Sequence, residues 1–240
     1  MDKLNLDRHI SRQFNAELEA LRTQMLEMGG LVEQQVSDAV AAIESGDTAL
    51  AEKVIVNEDK VDEFELELDE QATLVLARRQ PAASDLRLVL AVIKAIRDLE
   101  RIGDEAQKVA KMAIELSGAG TNSRGASELR HIGASVAAMM NQGLDAFARF
   151  DADAALKVVE ADKLVDREYK TAMRELVTYM MEDPREISRV MNVLWALRAL
   201  ERIGDHVRNI CEHVIYLVRG LDIRHISLDE AEAKLHSKKP

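Results

Sequence analysis

Glu100 and Asp104 lie in the stretch Arg97-Asp98-Leu99-Glu100-Arg101-Ile102-Gly103-Asp104, and Glu201 and Asp205 lie in Arg198-Ala199-Leu200-Glu201-Arg202-Ile203-Gly204-Asp205; seven of the eight positions agree. Two acids four residues apart share one face of a helix, about 5 to 6 Å apart at Cβ, and repel by a few tenths of a kcal/mol unless a cation intervenes. A second pair precedes each of these: Glu58 with Asp62, and Asp162 with Asp166. Carboxylates presented by adjacent helices are the oxygen ligands that hard divalent ions take. The competing arrangement is a salt-bridged rim. Arg97 can reach Glu100, Arg101 can reach Asp104 or Glu105, and the second copy offers the same pairs. Duplication of all the motifs in register, with Arg outside and Gly inside each time, favours cation binding.

The elements that must position these acids are helices. The chain is 47% hydrophobic but only 3% aromatic, with 11 Gly and 3 Pro, so helix formers are plentiful and the punctuation of sheets is scarce. An all-α fold follows. Apolar periodicity predicts six helices, at about 6–45, 48–79, 84–116, 126–149, 152–181 and 185–218. Asp47 and Asp151 read as N-caps, and Asp183-Pro184-Arg185-Glu186 reads as a capped start with proline in the first turn and a capping-box glutamate. The stretch Ser117–Ser127 is a flexible interior linker.

Sliding one half over the other pairs Asp47 with Asp151, Val54 with Val158, Val61 with Val165 and Asp62 with Asp166 at an offset of 104, and Val89 with Val190 through both ERIGD segments at 101. A three-helix unit has been duplicated. The expected organisation is a first bundle over 1–118, a second over 119–221 and a tail over 222–240, with disorder expected in the tail and a short terminal helix as the alternative. At 100° per residue from Ile96, Val89, Val92, Ile93, Gly103, Ala110 and Ile114 form the buried stripe. Glu100 and Asp104 fall at about 40° and about 80°, on its shoulder, with Arg97 and Arg101 beyond them. The acidic faces are therefore expected on the outer surface.

Net charge is −11, which argues against nucleic acid, since affinity for a phosphate backbone rests on Lys and Arg displacing counterions. No window approaches the roughly 18 to 20 apolar residues of a membrane span, so direct insertion is not expected. Cys211 is the single cysteine and the beginning of the chain lacks the features of a signal peptide, so a cytoplasmic protein is expected. Cys211 aligns with Ala110 in the stripe and reads as core; no GxxxxGK[ST] segment is present.

The three-helix repeat across about 6–220, the paired ERIGD segments at 100–104 and 201–205 and the partner acids at 58/62 and 162/166 resemble the PhoU family of bacterial phosphate-transport accessory proteins. The resemblance implies a cytoplasmic homodimer that binds the ATPase subunit of a phosphate ABC transporter and a sensor histidine kinase. Such a protein is a negative regulator of the phosphate-starvation response, modulates high-affinity uptake and is not an enzyme. It also implies multinuclear clusters of iron, zinc or another divalent metal on the carboxylate faces formed by Glu58, Asp62, Glu100 and Asp104 and by Asp162, Asp166, Glu201 and Asp205. Two alternatives stand beside it. A carboxylate-bridged metal enzyme would need Glu-x-x-His on two helices, and the sequence offers it only at Glu128–His131. A metal-free scaffold would use the bundles for docking alone. His206 and His213 read as polar surface residues.

Overall fold

The computed structural model describes residues 12–117 and 125–236. Among the described residues seven α-helices run in order: α1 Arg12–Ser45, α2 Thr48–Arg79, α3 Ala83–Leu116, α4 Ala126–Arg149, α5 Ala152–Glu182, α6 Ile187–Arg219 and α7 Leu228–His236. No strand occurs among the described residues. The start expected at residue 6 and most of the interior linker lie outside them.

The breaks follow the cap chemistry. Asp47 Oδ1 accepts from the Leu50 amide at 3.0 Å, and Asp151 Oδ1 accepts from the Asp153 and Ala154 amides at 3.1 and 3.0 Å. The preceding residue adopts left-handed backbone in both turns, Gly46 at φ 72° and Phe150 at φ 53°. Only glycine does this without steric cost. Phe150 is held there by packing: its ring centroid is 6.5 Å from that of Phe147, and the Arg22 guanidinium lies 4.8 Å above it. Asp183 caps a 3-10 turn over Pro184–Glu186 rather than α6 itself. The capping box does not form, because the Asp183 amide donates instead to Tyr179 O at 3.1 Å.

Helices α1, α2 and α3 pack pairwise into one bundle and α4, α5 and α6 into a second, joined through α3 against α6 and α1 against α4. A single apolar core built from Val, Leu, Ile, Met and Ala runs through both. The joint between bundles is itself symmetric. A Cβ on Gly29 would stand 2.7 Å from Leu144 Cδ2, and one on Gly133 would stand 2.9 Å from Val40 Cγ1. Gly29 and Gly133 differ by 104 in number, as do Val40 and Leu144, so the duplication relates both sides of the α1–α4 contact. Helices α3 and α6 form the most extensive pair and run antiparallel, early residues of α3 meeting late residues of α6.

The tail takes the helical alternative instead of the disorder expected first. Ile223 is buried, α7 buries Ala231 and Leu235, and α7 touches α5. Ser227 Oγ accepts from the Glu230 amide at 3.3 Å and starts the helix. The apolar pair at i, i+4 supplies burial that outweighs the polar composition around it.

Candidate functional site

In the first bundle the acids come from α2 and α3, as their spacing predicts, but at two depths. Glu58 is 5% exposed and its carboxylate lies over Gly103, where a Cβ would be 2.8 Å from Oε1. The glycine thus makes room for a carboxylate of the neighbouring helix. Gln35 of α1, itself buried, donates Nε2 to Glu58 Oε2 at 3.2 Å, while Oε1 is buried without a hydrogen-bond partner. Asp62 is exposed; Glu100 and Asp104 are half-buried at the rim. Burial, with Asp104 next and Asp62 and Glu100 adding to it, pushes the Glu58 carboxyl up to about 7. Burial raises Glu100 too, opposed by Arg101 and reinforced by Asp104, Glu65 and Asp62. Glu65 belongs to this acidic group although it is a member of neither acidic pair of the first half. Its position three residues beyond Asp62 was the available signal. Arg101 reaches Glu100 at 3.3 Å and Asp104 at 3.8 Å from the solvent side.

The second bundle builds the same frame from α5 and α6 and fills it differently. Asp162 is 3% exposed and lies over Gly204, where a Cβ would be 3.2 Å from Oδ1. Arg208 Nη1 donates to Asp162 Oδ2 at 2.8 Å and lies 2.9 Å from Asp205 Oδ1; its Nε lies 3.6 Å from Glu212. Arg198 Nη1 meets both oxygens of the buried Glu201 at 2.8 Å, and Lys170 stands 3.8 Å from Asp166. Burial still raises Asp162, with Arg208 opposing it. The expectation that both faces lie wholly on the outer surface is therefore corrected. Glu58, Asp162 and Glu201 are buried beneath the rim: Gly103 and Gly204 open space for the first two, and Arg198 covers the third, none of which helical angle alone can foresee.

A polar seam between the bundles was not foreseen. Asp98 of α3 accepts from Asn209 at 3.1 Å and pairs with His206 Nδ1 at 2.9 Å and His213 Nε2 at 3.2 Å, all on α6. Burial would raise Asp98, but the hydrogen bonds from His206, His213 and Asn209 bring it down to about 2. His206 and His213 are therefore seam residues, not surface ones. Arg202 reaches the buried Glu105 across the same interface at 2.9 Å, so it does not repeat the role of Arg101. The i, i+3 and i, i+7 spacing of 206, 209 and 213 put them on one stripe, yet nothing in the sequence pointed that stripe at Asp98. Cys211 is fully buried, and burial pushes its thiol well above the ordinary range. Glu128 and His131 face an open groove between α4 and α5, where His131 pairs with Glu168 at 3.0 Å.

The two faces differ in their fitness for an ion. In the first, a buried carboxylate oxygen without a partner is surrounded by further acids, a donor set suited to a hard cation. In the second, the buried acid is already held by a guanidinium. As the side chains stand, no three His, Cys, Asp or Glu among the described residues are gathered closely enough to hold an ion together.

Two tandem three-helix bundles, each carrying an acidic face built from carboxylates of its second and third helices, define an internally duplicated all-α protein. The PhoU domain model matches it twice, over residues 25–113 and 129–214. The chain belongs to the PhoU family. It is 59% identical over 239 residues to the phosphate-specific transport system accessory protein PhoU homolog of Pseudomonas aeruginosa, covering 100% of this chain and 99% of that one. It is 47% identical to the accessory protein PhoU of Escherichia coli, covering 99% and 98%. A crystal structure of PhoU from Pseudomonas aeruginosa superposes with a TM-score of 0.85 at 62% identity, over 87% of this chain and 100% of that one. The phosphate transport system regulatory protein PhoU from Streptococcus pneumoniae superposes with a TM-score of 0.80 at 29% identity, over 88% and 99%.

Proposed function

We propose that this protein is a regulatory accessory subunit of a phosphate transport system. In this reading it acts in the cytoplasm as a homodimer, docks on the ATPase subunit of a phosphate ABC transporter and on a sensor histidine kinase, and restrains the starvation response when phosphate is plentiful. Near-full-length identity to proteins named for that role supports it. So does the absence of any helix among the described residues long and apolar enough to cross a membrane, which leaves membrane contact to partners. No catalytic step is assigned. A helical body that binds one state of a kinase better than another shifts its population by that difference in affinity.

The observation that carries the site reading is the buried Glu58 Oε1, unpartnered and ringed by acids. Glu58, Asp62, Glu100 and Asp104 would hold a divalent ion such as iron or zinc, and that ion would supply positive charge where the chain supplies little. Glu58 anchors from beneath, Gln35 orients it, and the rim acids stay open to solvent or a partner. Deletion of the gene should leave starvation genes switched on in high phosphate, with a wild-type copy restoring repression. Starvation genes that stay repressed in the deletion strain would defeat the regulatory role. Capture of the transporter ATPase and the kinase by the purified protein tests the docking without assuming an ion.

A further inference from the structure

We propose that Arg208 is a tethered counter-ion occupying the place of a divalent cation in the second acidic face, so that the two faces of the duplication are chemically unequal and only the first exchanges an ion with solvent. The inference rests on the reading that the first face takes a cation.

The geometry is specific. One nitrogen, Nη1, lies 2.8 Å from Asp162 Oδ2 and 2.9 Å from Asp205 Oδ1, bridging the buried acid of α5 and the rim acid of α6. These are charge-assisted hydrogen bonds to a group that stays protonated at any physiological pH, so the bridge does not titrate away. Asp162 is 3% exposed, and a charged group at that depth requires a partner. An entering metal ion would have to displace Arg208 and leave its guanidinium, which is half-buried, to find other acceptors. The remaining members of the second face are also engaged, Glu201 by Arg198 and Asp166 by Lys170.

The corresponding position in the first half, at the 101 offset, is Gln107. Its amide carries no charge; Nε2 reaches back to Ile55 O at 3.5 Å, and Oε1 accepts from Lys111 at 2.6 Å. Lys111 in turn occupies the register of Glu212, so the pair Arg208 and Glu212 is replaced by Gln107 and Lys111. Arg101 approaches the first face only from its solvent edge. Glu58 Oε1 is left buried without a hydrogen-bond partner, the counterpart of the carboxylate that Arg208 satisfies. The same backbone frame therefore holds a deep carboxylate beside a neutral amide in one half and a deep carboxylate beside a built-in positive charge in the other.

The test is Mn2+ binding to the chelator-stripped full-length protein by equilibrium dialysis, with thermal unfolding in the presence and absence of Mn2+. Mn2+ suits an all-oxygen carboxylate site. Wild-type uptake should be lost in Glu58→Gln/Asp104→Asn and unchanged in Asp162→Asn/Asp205→Asn. Arg208→Gln should gain uptake, roughly doubling the Mn2+ bound per chain if the faces then become equal. Gln107→Arg should abolish uptake while the protein stays folded, which keeps the test sharp should Arg208→Gln fold poorly. Uptake in wild type that falls equally when either face is altered would overturn the tethered counter-ion and leave the metal reading intact. No uptake by wild type with uptake by Arg208→Gln would overturn ion exchange at the first face, and with it the reading of that face, while keeping Arg208 as the counter-ion of the second. No uptake by any variant would overturn both.

Discussion

The acidic face lined by α2 and α3 and the one lined by α5 and α6 share a register, a glycine under the deepest carboxylate and acids on the rim, yet they treat the deepest carboxylate in opposite ways. Glu58 has a neutral amide from Gln35 and a bare oxygen; Asp162 has the Arg208 guanidinium. Duplication preserves backbone geometry because the core stripe and the glycines fix where helices approach. It does not preserve charge at a half-buried position beside the stripe, where substituting Gln for Arg leaves the packing stripe untouched. Internal symmetry in a fold is therefore weak evidence for equal chemistry at equivalent sites.

The largest expected effect comes from removing the guanidinium. Arg208→Ala leaves Asp162 buried without its partner and should cost about 3 kcal/mol in urea unfolding, whereas Gln107→Ala should cost less than about 0.5 kcal/mol. Equal losses would erase the distinction between the faces. Next is Glu58→Gln, with the opposite sign. The folded state holds the Glu58 proton more tightly than the unfolded chain, the carboxyl being raised from 4.5 to about 7. The stability tied to that proton is complete below pH 4.5 and is lost as pH rises through 7. In the chelator-stripped protein the variant should therefore match wild type near pH 4.5 and exceed it by about 3 kcal/mol at pH 8, a Tm rise of roughly 8 °C. A destabilised variant at pH 8 would mean that a cation or an unseen donor already compensates Glu58.

The seam sharpens the comparison by testing whether the faces are held in one frame. Asp98 is depressed from 3.8 to about 2, so its contribution is present above pH 4 and is lost as pH falls toward 2. Asp98→Asn should remove about 2 kcal/mol at pH 6 and flatten the stability profile between pH 4 and 2. The smallest effect belongs to the paired turns. Gly46→Ala should cost about 1 kcal/mol, since alanine is strained at φ 72°. Phe150→Gly trades relief of the same strain against loss of the Phe147 and Arg22 contacts and should change Tm little. Denaturation midpoints of both variants read this directly.

Much of the site was legible because helical periodicity converts spacing into direction. Glu100, Asp104, Glu201 and Asp205 do border the core stripe, Asp47 and Asp151 do cap, and Cys211 is buried in the seam of its helix. What failed was depth. Angular position placed Glu100 and Asp104 beside an apolar stripe and left the depth of Glu58 and Asp162 open; only the partner helix, with Gly103 or Gly204 facing them, decided that these two would sink beneath the rim. The difference between Gln107 and Arg208 stood in the aligned halves, and the link from Arg208 to Asp205 is a local i, i+3 step. Its more consequential link, to Asp162, crosses to another helix.

By itself the sequence determined the six long helices, the caps at Asp47 and Asp151, the duplication and the stripe that Glu100, Asp104, Glu201 and Asp205 border, since all of these are set by neighbours within a turn or two or by comparing one half with the other. Only the tertiary structure decided which carboxylates are buried, which cation reaches them, that Asp98 gathers His206, Asn209 and His213 from a helix about a hundred residues away, and that α7 docks. The physical reason is range: periodicity fixes a side chain's direction about its own axis, while burial and charge compensation depend on what the opposing helix brings to meet it.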